Sequence, residues 1–218
     1  MSARRARLLT AAAAQFSQFG FRRTSVEDIT RVAGVSKGAF YLEFSTKDAL
    51  FDQLVRHEFC VYLEDARCRV DADPEGGRLS RIYQHSVGAL LQRDFLQSLY
   101  TDPGGLLTGM LHDHGAARYR PRVLLGAAFI ERMQRAGLIR SALPPESLSH
   151  VLSTLIVGPM LSEPVLRTED SPRLAETLNT ISEMITAAFE TSGGNIPEGK
   201  QAFSDLVEST IRAISETV

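Results

Sequence analysis

Two short helical segments separated only by Gly34-Val35 constrain this chain more than any other feature of its sequence. Ser25 is placed to cap the first segment, with Asp28 at the capping-box position three residues on. Val26, Ile29 and Ala33 then fall on one helical face, and Gly34 supplies the stop. Ser36 can cap a second segment, Lys37 to about Phe44. Ser45 or Thr46 caps a long helix that follows and continues past Val61. So tight a turn sets its two helices at a steep angle, the helix-turn-helix arrangement. In that arrangement the first helix braces and the second can enter a major groove.

The rest of the chain reads as helix. Leu8, Leu9, Ala12, Phe16 and Phe19 give a first helix over about Arg4–Phe19, stopped by Gly20. The run Asp73-Pro74-Glu75-Gly76-Gly77 breaks the chain after the long helix. Further helices are expected over about Leu79–Tyr100, Leu106–His112, Arg122–Ala136, Pro144–Leu166 with a bend near Pro159, Pro172–Thr191 and Gly199–Thr217. No alternating strand pattern competes with these. The expected fold is all-α: a helix-turn-helix unit of three helices over residues 1–47, then a helical bundle over 48–218.

Charge separates the two parts. Residues 1–50 carry eight Lys/Arg and four Asp/Glu, whereas the remainder carries sixteen and twenty-two. A polyanionic partner is therefore expected at the N-terminal end. Cys60 and Cys68 fall eight residues apart in one helix. At that spacing their Cα atoms stand roughly 12 Å apart, too far for a disulfide, which suits two buried thiols in a reducing compartment. The start SARRARLLTAAAAQF is basic and then apolar, but Gln15, Ser17 and Gln18 interrupt it at amphipathic spacing, so a cytoplasmic location is expected. No G-x-S-x-G, P-loop, dinucleotide or H-E-x-x-H motif points to an enzyme.

The second short helix suits DNA physically. Ser36 and Lys37 open it, and Gly38 and Ala39 are small enough to let the backbone approach base edges. Phe40 and Phe44 can face a core while Tyr41 lies on the other side. This segment resembles the DNA-binding part of the tetracycline-repressor (TetR/AcrR) family. Gly20-Phe21 and Thr24-Ser25-Val26 match its G-[FY] and T-[TS]-V elements. Ile29 to Leu50 matches I-A-x-x-A-G-V-S-x-G-x-[FL]-Y-x-x-F-x-[ST]-K-[ED]-x-L, with Thr30 in place of the usual Ala. The resemblance covers about 50 of the 218 residues, with fixed identities spread over four helices. It implies DNA-contacting roles for Thr24, Ser25, Ser36, Lys37, Gly38, Ala39, Tyr41 and Lys47, with phosphates assigned to Thr24, Ser25, Tyr41 and Lys47. Arg4, Arg5 and Arg7 can extend a basic arm, and Glu43 is expected to point aside.

The resemblance also implies that the bundle binds a small effector and forms a homodimer. Candidate effector contacts are Phe95, Leu99, Tyr100, Met110, Phe129 and Met133, with His85, Gln92, His112 and His114 among nearby polar groups. Candidate interface residues are Leu148, Leu152, Leu155 and Ile156, with Leu178, Ile181 and Ile185 from the next segment. The same faces would serve equally well as intramolecular core. His112-Asp113-His114 has metal-ligand chemistry, but with no second cluster it reads as a helix end. Neither a metal nor a cofactor is expected. The expectation is a dimeric repressor of an operator palindrome, released by a small molecule.

Overall fold

Helix α1 (Ala3–Phe19) starts where the Ser2 hydroxyl accepts from the Arg5 N–H, and its Leu8, Leu9, Ala11, Ala12 and Phe16 are buried. The computed structural model describes residues 2–101, 126–166 and 168–216. Helix α2 (Val26–Ala33) opens on the expected Ser25–Asp28 capping box and closes on Gly34. At Gly34 φ is 63°, a left-handed conformation in which a Cβ would be strained, so glycine is required for the turn. Helix α3 (Lys37–Glu43) is capped by Ser36, whose hydroxyl accepts from Ala39 N–H at 3.1 Å. Helix α4 (Lys47–Ala72) is capped by Thr46, not Ser45, through the Ala49 N–H. The division expected at residue 47 thus falls on the first residue of a helix that serves both parts. Leu50 and Phe51 pack with the N-terminal unit, and one hydrophobic core runs continuously from Leu8 to Ile214.

Beyond α4 the single helix expected over Leu79–Tyr100 is two: α5 (Leu79–Leu90) and α6 (Asp94–Thr101). Leu91 ends α5, and the Gln97 amide donates to the Leu91 carbonyl at 2.8 Å. Arg93 in the break reaches back to Glu58 at 2.8 Å, and Gln92 accepts from Arg69 at 2.5 Å. No Gly or Pro marks this break, because partners on α4 and α6 hold it. Four further helices are described: α7 (Ala127–Arg135), α8 (Pro145–Leu166), α9 (Leu174–Phe189) and α10 (Ile196–Glu216). The expected helix at Leu106–His112, the start of the one at Arg122, and His112-Asp113-His114 lie outside the described residues.

Helix α5 lies between α4 and α9, and α10 lies against α4 and α7. The buried carboxylate of Glu190 accepts from the Ser80 N–H at 2.6 Å, which caps α5 from across the fold. An antiparallel bridge joins Ile139 to Glu190, and the Asn195 N–H donates to the Ala136 carbonyl at 2.8 Å. The segments leaving α7 and α9 are thereby laced together. Cys60 is half-buried and Cys68 is exposed, and neither is in a disulfide, so the expectation of two buried thiols fails at Cys68, which sits on the solvent side of α4.

Asp73 ends α4 and organises the turn that follows. Its carboxylate accepts from Arg81 Nε at 2.6 Å and the Glu75 N–H at 3.0 Å, and lies 2.8 Å from His85 Nε2. His85, one of the polar groups named near the effector candidates, is engaged here by Asp73. Burial pushes the Asp73 carboxyl up, but His85, Arg81 and the Glu75 N–H together outweigh it and bring the pKa down to about 2. A depressed carboxylate stabilises the fold above its unfolded pKa of ~3.9, and the contribution disappears as pH falls from there toward the folded value. Asp73→Asn is expected to destabilise the protein by on the order of 2 kcal/mol at pH 7, with the gap from wild type closing progressively below pH ~4. Urea titrations across a pH series check both.

Candidate nucleic-acid interface

The turn between α1 and α2 is held from inside. Thr24 is buried, and its hydroxyl donates to the Gly20 carbonyl at 2.8 Å and the Gln15 carbonyl at 3.3 Å. Lys47 Nζ donates to the Phe21 carbonyl at 2.8 Å and the Thr24 carbonyl at 2.9 Å, and sits 4.2 Å from the centre of the Phe21 ring. Burial pushes the Lys47 ammonium below its ordinary pKa. The side chains assigned to phosphates at Thr24 and Lys47 thus make bonds within the fold of the free protein. The Thr24 donor is spent within the fold, and Lys47 has committed two of its three N–H groups to the turn. Lys47→Met keeps the stem and deletes the donors. It is expected to cost about 1.5–3 kcal/mol in thermal unfolding of the free protein. A side chain serving phosphates alone would leave that melting point unchanged.

Ser25 and Ser36 act as caps. Ser25 donates its hydroxyl to the Asp28 carboxylate at 2.6 Å, and the same carboxylate accepts the Ser25 N–H at 3.1 Å. These bonds set the entry of α2, as the Ser36 cap sets that of α3. Phe40 is buried beneath α3, edge-on to Tyr41 with ring centres 5.2 Å apart and 5.9 Å from Phe44. Anchoring by Phe40 turns the opposite side of α3 outward. At about 100° per residue, Gly38 and Leu42 share the middle of that side, flanked by Tyr41 and the half-buried Ala39, while Lys37 is exposed at the start of the helix. A methyl group added at Gly38 would meet nothing nearer than Ser36 Oγ at 3.9 Å, so the fold itself does not require glycine there. What glycine gives is a bare stretch of backbone at the surface.

Charge on this face is largely committed. Lys37 is paired with Glu27, which raises the lysine and lowers the carboxyl from their ordinary pKa values. Glu43 points aside as expected. Arg4 Nε at 2.9 Å and the Ser2 hydroxyl at 3.0 Å both donate to it, which holds its carboxyl below the usual range. Arg4 and Arg5 are consequently drawn in rather than extended as an arm, with the Arg5 guanidinium 4.6 Å above the Phe44 ring. Arg31 pairs with Asp28. Arg7, Arg22 and Arg23 are exposed and have no ion-pair partner among the described residues. Arg22-Arg23 immediately precedes Thr24-Ser25 and went unassigned in the sequence, where only a basic doublet marks it.

The structure places the body residues as follows. Phe95, Leu99, Phe129 and Met133 are all buried, as parts of the one continuous core. Phe95 joins Phe16 and Phe51 at the junction with the N-terminal unit, whereas Phe129 and Met133 lie on α7, which packs on α8 and α10. The Tyr100 side chain and Met110 lie outside the described residues. Leu148, Leu152, Leu178, Ile181 and Ile185 are buried within the protomer itself, and Leu155 and Ile156 are half-buried against its core. Among the described residues, the large apolar side chains that α8 and α9 leave exposed are Val151 and Met184. Among the described residues no group of three or more His, Cys, Asp or Glu is placed to hold a metal ion. No described helix is long and apolar enough to cross a membrane.

Residues 8–54 match the family model described as bacterial regulatory proteins, tetR family. The transcriptional repressor KstR2 of Mycobacterium tuberculosis is 41% identical over 114 residues, 47% of this chain and 56% of that protein. The match thus spans about half the length of that relative. The transcriptional regulator RutR of Escherichia coli O157:H7 is 40% identical over 148 residues, 57% of this chain and 70% of that protein. The fold is shared with SmeT, solved in complex with triclosan, at 19% identity and a TM-score of 0.63 over 88% of this chain and 94% of that one.

Proposed function

Since the chain belongs to the TetR family of bacterial regulatory proteins, we propose that it is a DNA-binding transcriptional repressor acting as a homodimer under the control of a small-molecule effector. The observation that carries this reading is α3 itself. A capped helix is anchored by one buried aromatic and presents a smooth outer side, and Arg22 and Arg23, just before α2, are exposed with no ion-pair partner among the described residues. The helix supplies shape, and the free cations supply attraction to phosphates. Ser25 and Ser36 act by fixing the helix ends. Gly38, Ala39 and Tyr41 lie at the DNA, and Lys37 reaches it by exchanging Glu27 for a phosphate.

One α3 reads only a few base pairs, so two copies at a fixed spacing are required. The second copy is proposed to meet the side of α8 and α9 that carries Val151 and Met184, a reading supported by their exposure while Leu148, Leu152 and Ile185 are buried in the protomer. The effector is proposed to sit in the bundle; that there is a small-molecule effector is supported by SmeT, which shares the fold, having been solved with triclosan. The protein is placed in the cytoplasm, where its DNA is, and the role requires no catalysis.

A mobility-shift titration with the DNA flanking its own gene tests the reading. Expected is a shift at low salt that weakens steeply as salt rises. No shift across that region at low salt overturns it. Light scattering should return twice the protomer mass, and Met184→Glu should lower it.

A further inference from the structure

We propose that Leu42 is the base reader of this protein, and that it reads the 5-methyl group of thymine. The inference rests on the DNA-binding reading above and adds what α3 recognises. Leu42 is 77% exposed, the most exposed large apolar side chain among the described residues. It lies one turn after Gly38 on the outward side of α3, opposite the buried Phe40. The surface around it is uncharged in effect. Lys37 is engaged by Glu27, and Glu43 is turned away and neutralised by Arg4 and Arg5. Sequence reading in a major groove is commonly done by Arg or Lys on guanine, or by Asn or Gln on adenine. No such side chain stands free on the outward side of α3. An aliphatic side chain there has one complementary feature in the groove, the thymine methyl. The bare backbone at Gly38 lets the helix come close enough for the contact.

A leucine at this exposure contributes little to folding, so its burial is completed only when the groove closes over it. Burying one methyl group against it corresponds to about a fourfold change in affinity.

The test uses the full-length protein and the tightest duplex it selects from a randomised library. Each thymine is replaced in turn by uracil, which removes the methyl and nothing else. Wild type is expected to lose about fourfold at one or two thymines per half-site. Leu42→Ala, checked for an unchanged melting point, is expected to bind the thymine and uracil versions equally. If no thymine is sensitive in wild type, or if Leu42→Ala retains the wild-type sensitivity, the proposal is overturned while the DNA-binding reading stands. If no duplex is selected at all, both fall.

Discussion

Gly199→Ala is expected to cost about 3 kcal/mol or more, lowering the melting point by roughly 6–12 °C for a chain of this size. The backbone here adopts ordinary helical angles, so the demand for glycine comes from a close approach. A Cβ on Gly199 would lie 2.2 Å from the Gly77 carbonyl oxygen and 2.6 Å from Leu138 Cδ1. Across the same contact, a Cβ on Gly77 would lie 2.1 Å from the Ile196 carbonyl oxygen. Neither obstacle can rotate away, because backbone blocks both. The start of α10 must separate from the turn after α4, and with it goes the seating of Ala202, Phe203, Val207 and Ile214. Lys200, which donates to the Asp71 carbonyl at 2.9 Å, would move with them. Gly193→Ala is the control. Nothing lies within 4 Å of its added methyl, and its melting point should stay close to wild type. Gly77→Ala should match Gly199→Ala, and the double variant should cost less than the sum, since either methyl alone opens the contact.

That contact also gives the last helix a role. The sequence announced an amphipathic segment after Ser192-Gly193-Gly194-Asn195 but not its destination. Pairing of Gly77 with Gly199 is invisible in a one-dimensional pattern, as each alone reads as a helix breaker. The same contrast holds throughout. The ends of α1 to α4 were legible because their signals are local: Ser25 with Asp28, Ser36, and the glycines at 20 and 34. The break between α5 and α6 was not, because Gln97 and residues on α4 hold it. Residue types at the DNA-facing helix were readable, but their commitments were not. Only geometry reveals that Thr24 is buried, that Lys47 braces a turn, or that Glu27 occupies Lys37. Amphipathic spacing on α8 and α9 identified an apolar side correctly and left open what it packs against. Among the described residues the protomer core covers Leu148, Leu152, Leu178 and Ile185 and leaves Val151 and Met184 exposed.

Phe95→Ala is the second large effect, and it separates two roles for one residue. The sequence placed Phe95 in an effector pocket. In the fold its ring centre lies 5.9 Å from that of Phe51, nearly edge-on at 75°, and 6.5 Å from that of Phe16. Phe21 completes the group, 5.3 Å from Phe16 and 4.8 Å from Phe51. These four rings come from α1, the turn before α2, α4 and α6, so Phe95 joins the bundle to the helix-turn-helix. Deleting a buried phenyl ring leaves a cavity and costs about 3–5 kcal/mol, with up to about 1 kcal/mol of that scale set by the edge-on pairing. Phe95→Ala is therefore expected to melt roughly 10 °C below wild type. Hydrogen exchange should speed up first in α1 and in the turn at residues 20–25, which lean on these rings. Phe95→Leu, which refills most of the volume, should recover about half the loss. A residue that only lined an effector pocket would behave otherwise. Its truncation would leave the free protein's melting point and the exchange of α1 near wild type. Because Phe16 and Phe51 stand on the elements that carry and orient α3, the junction role further requires Phe95→Ala to weaken DNA binding without any effector present.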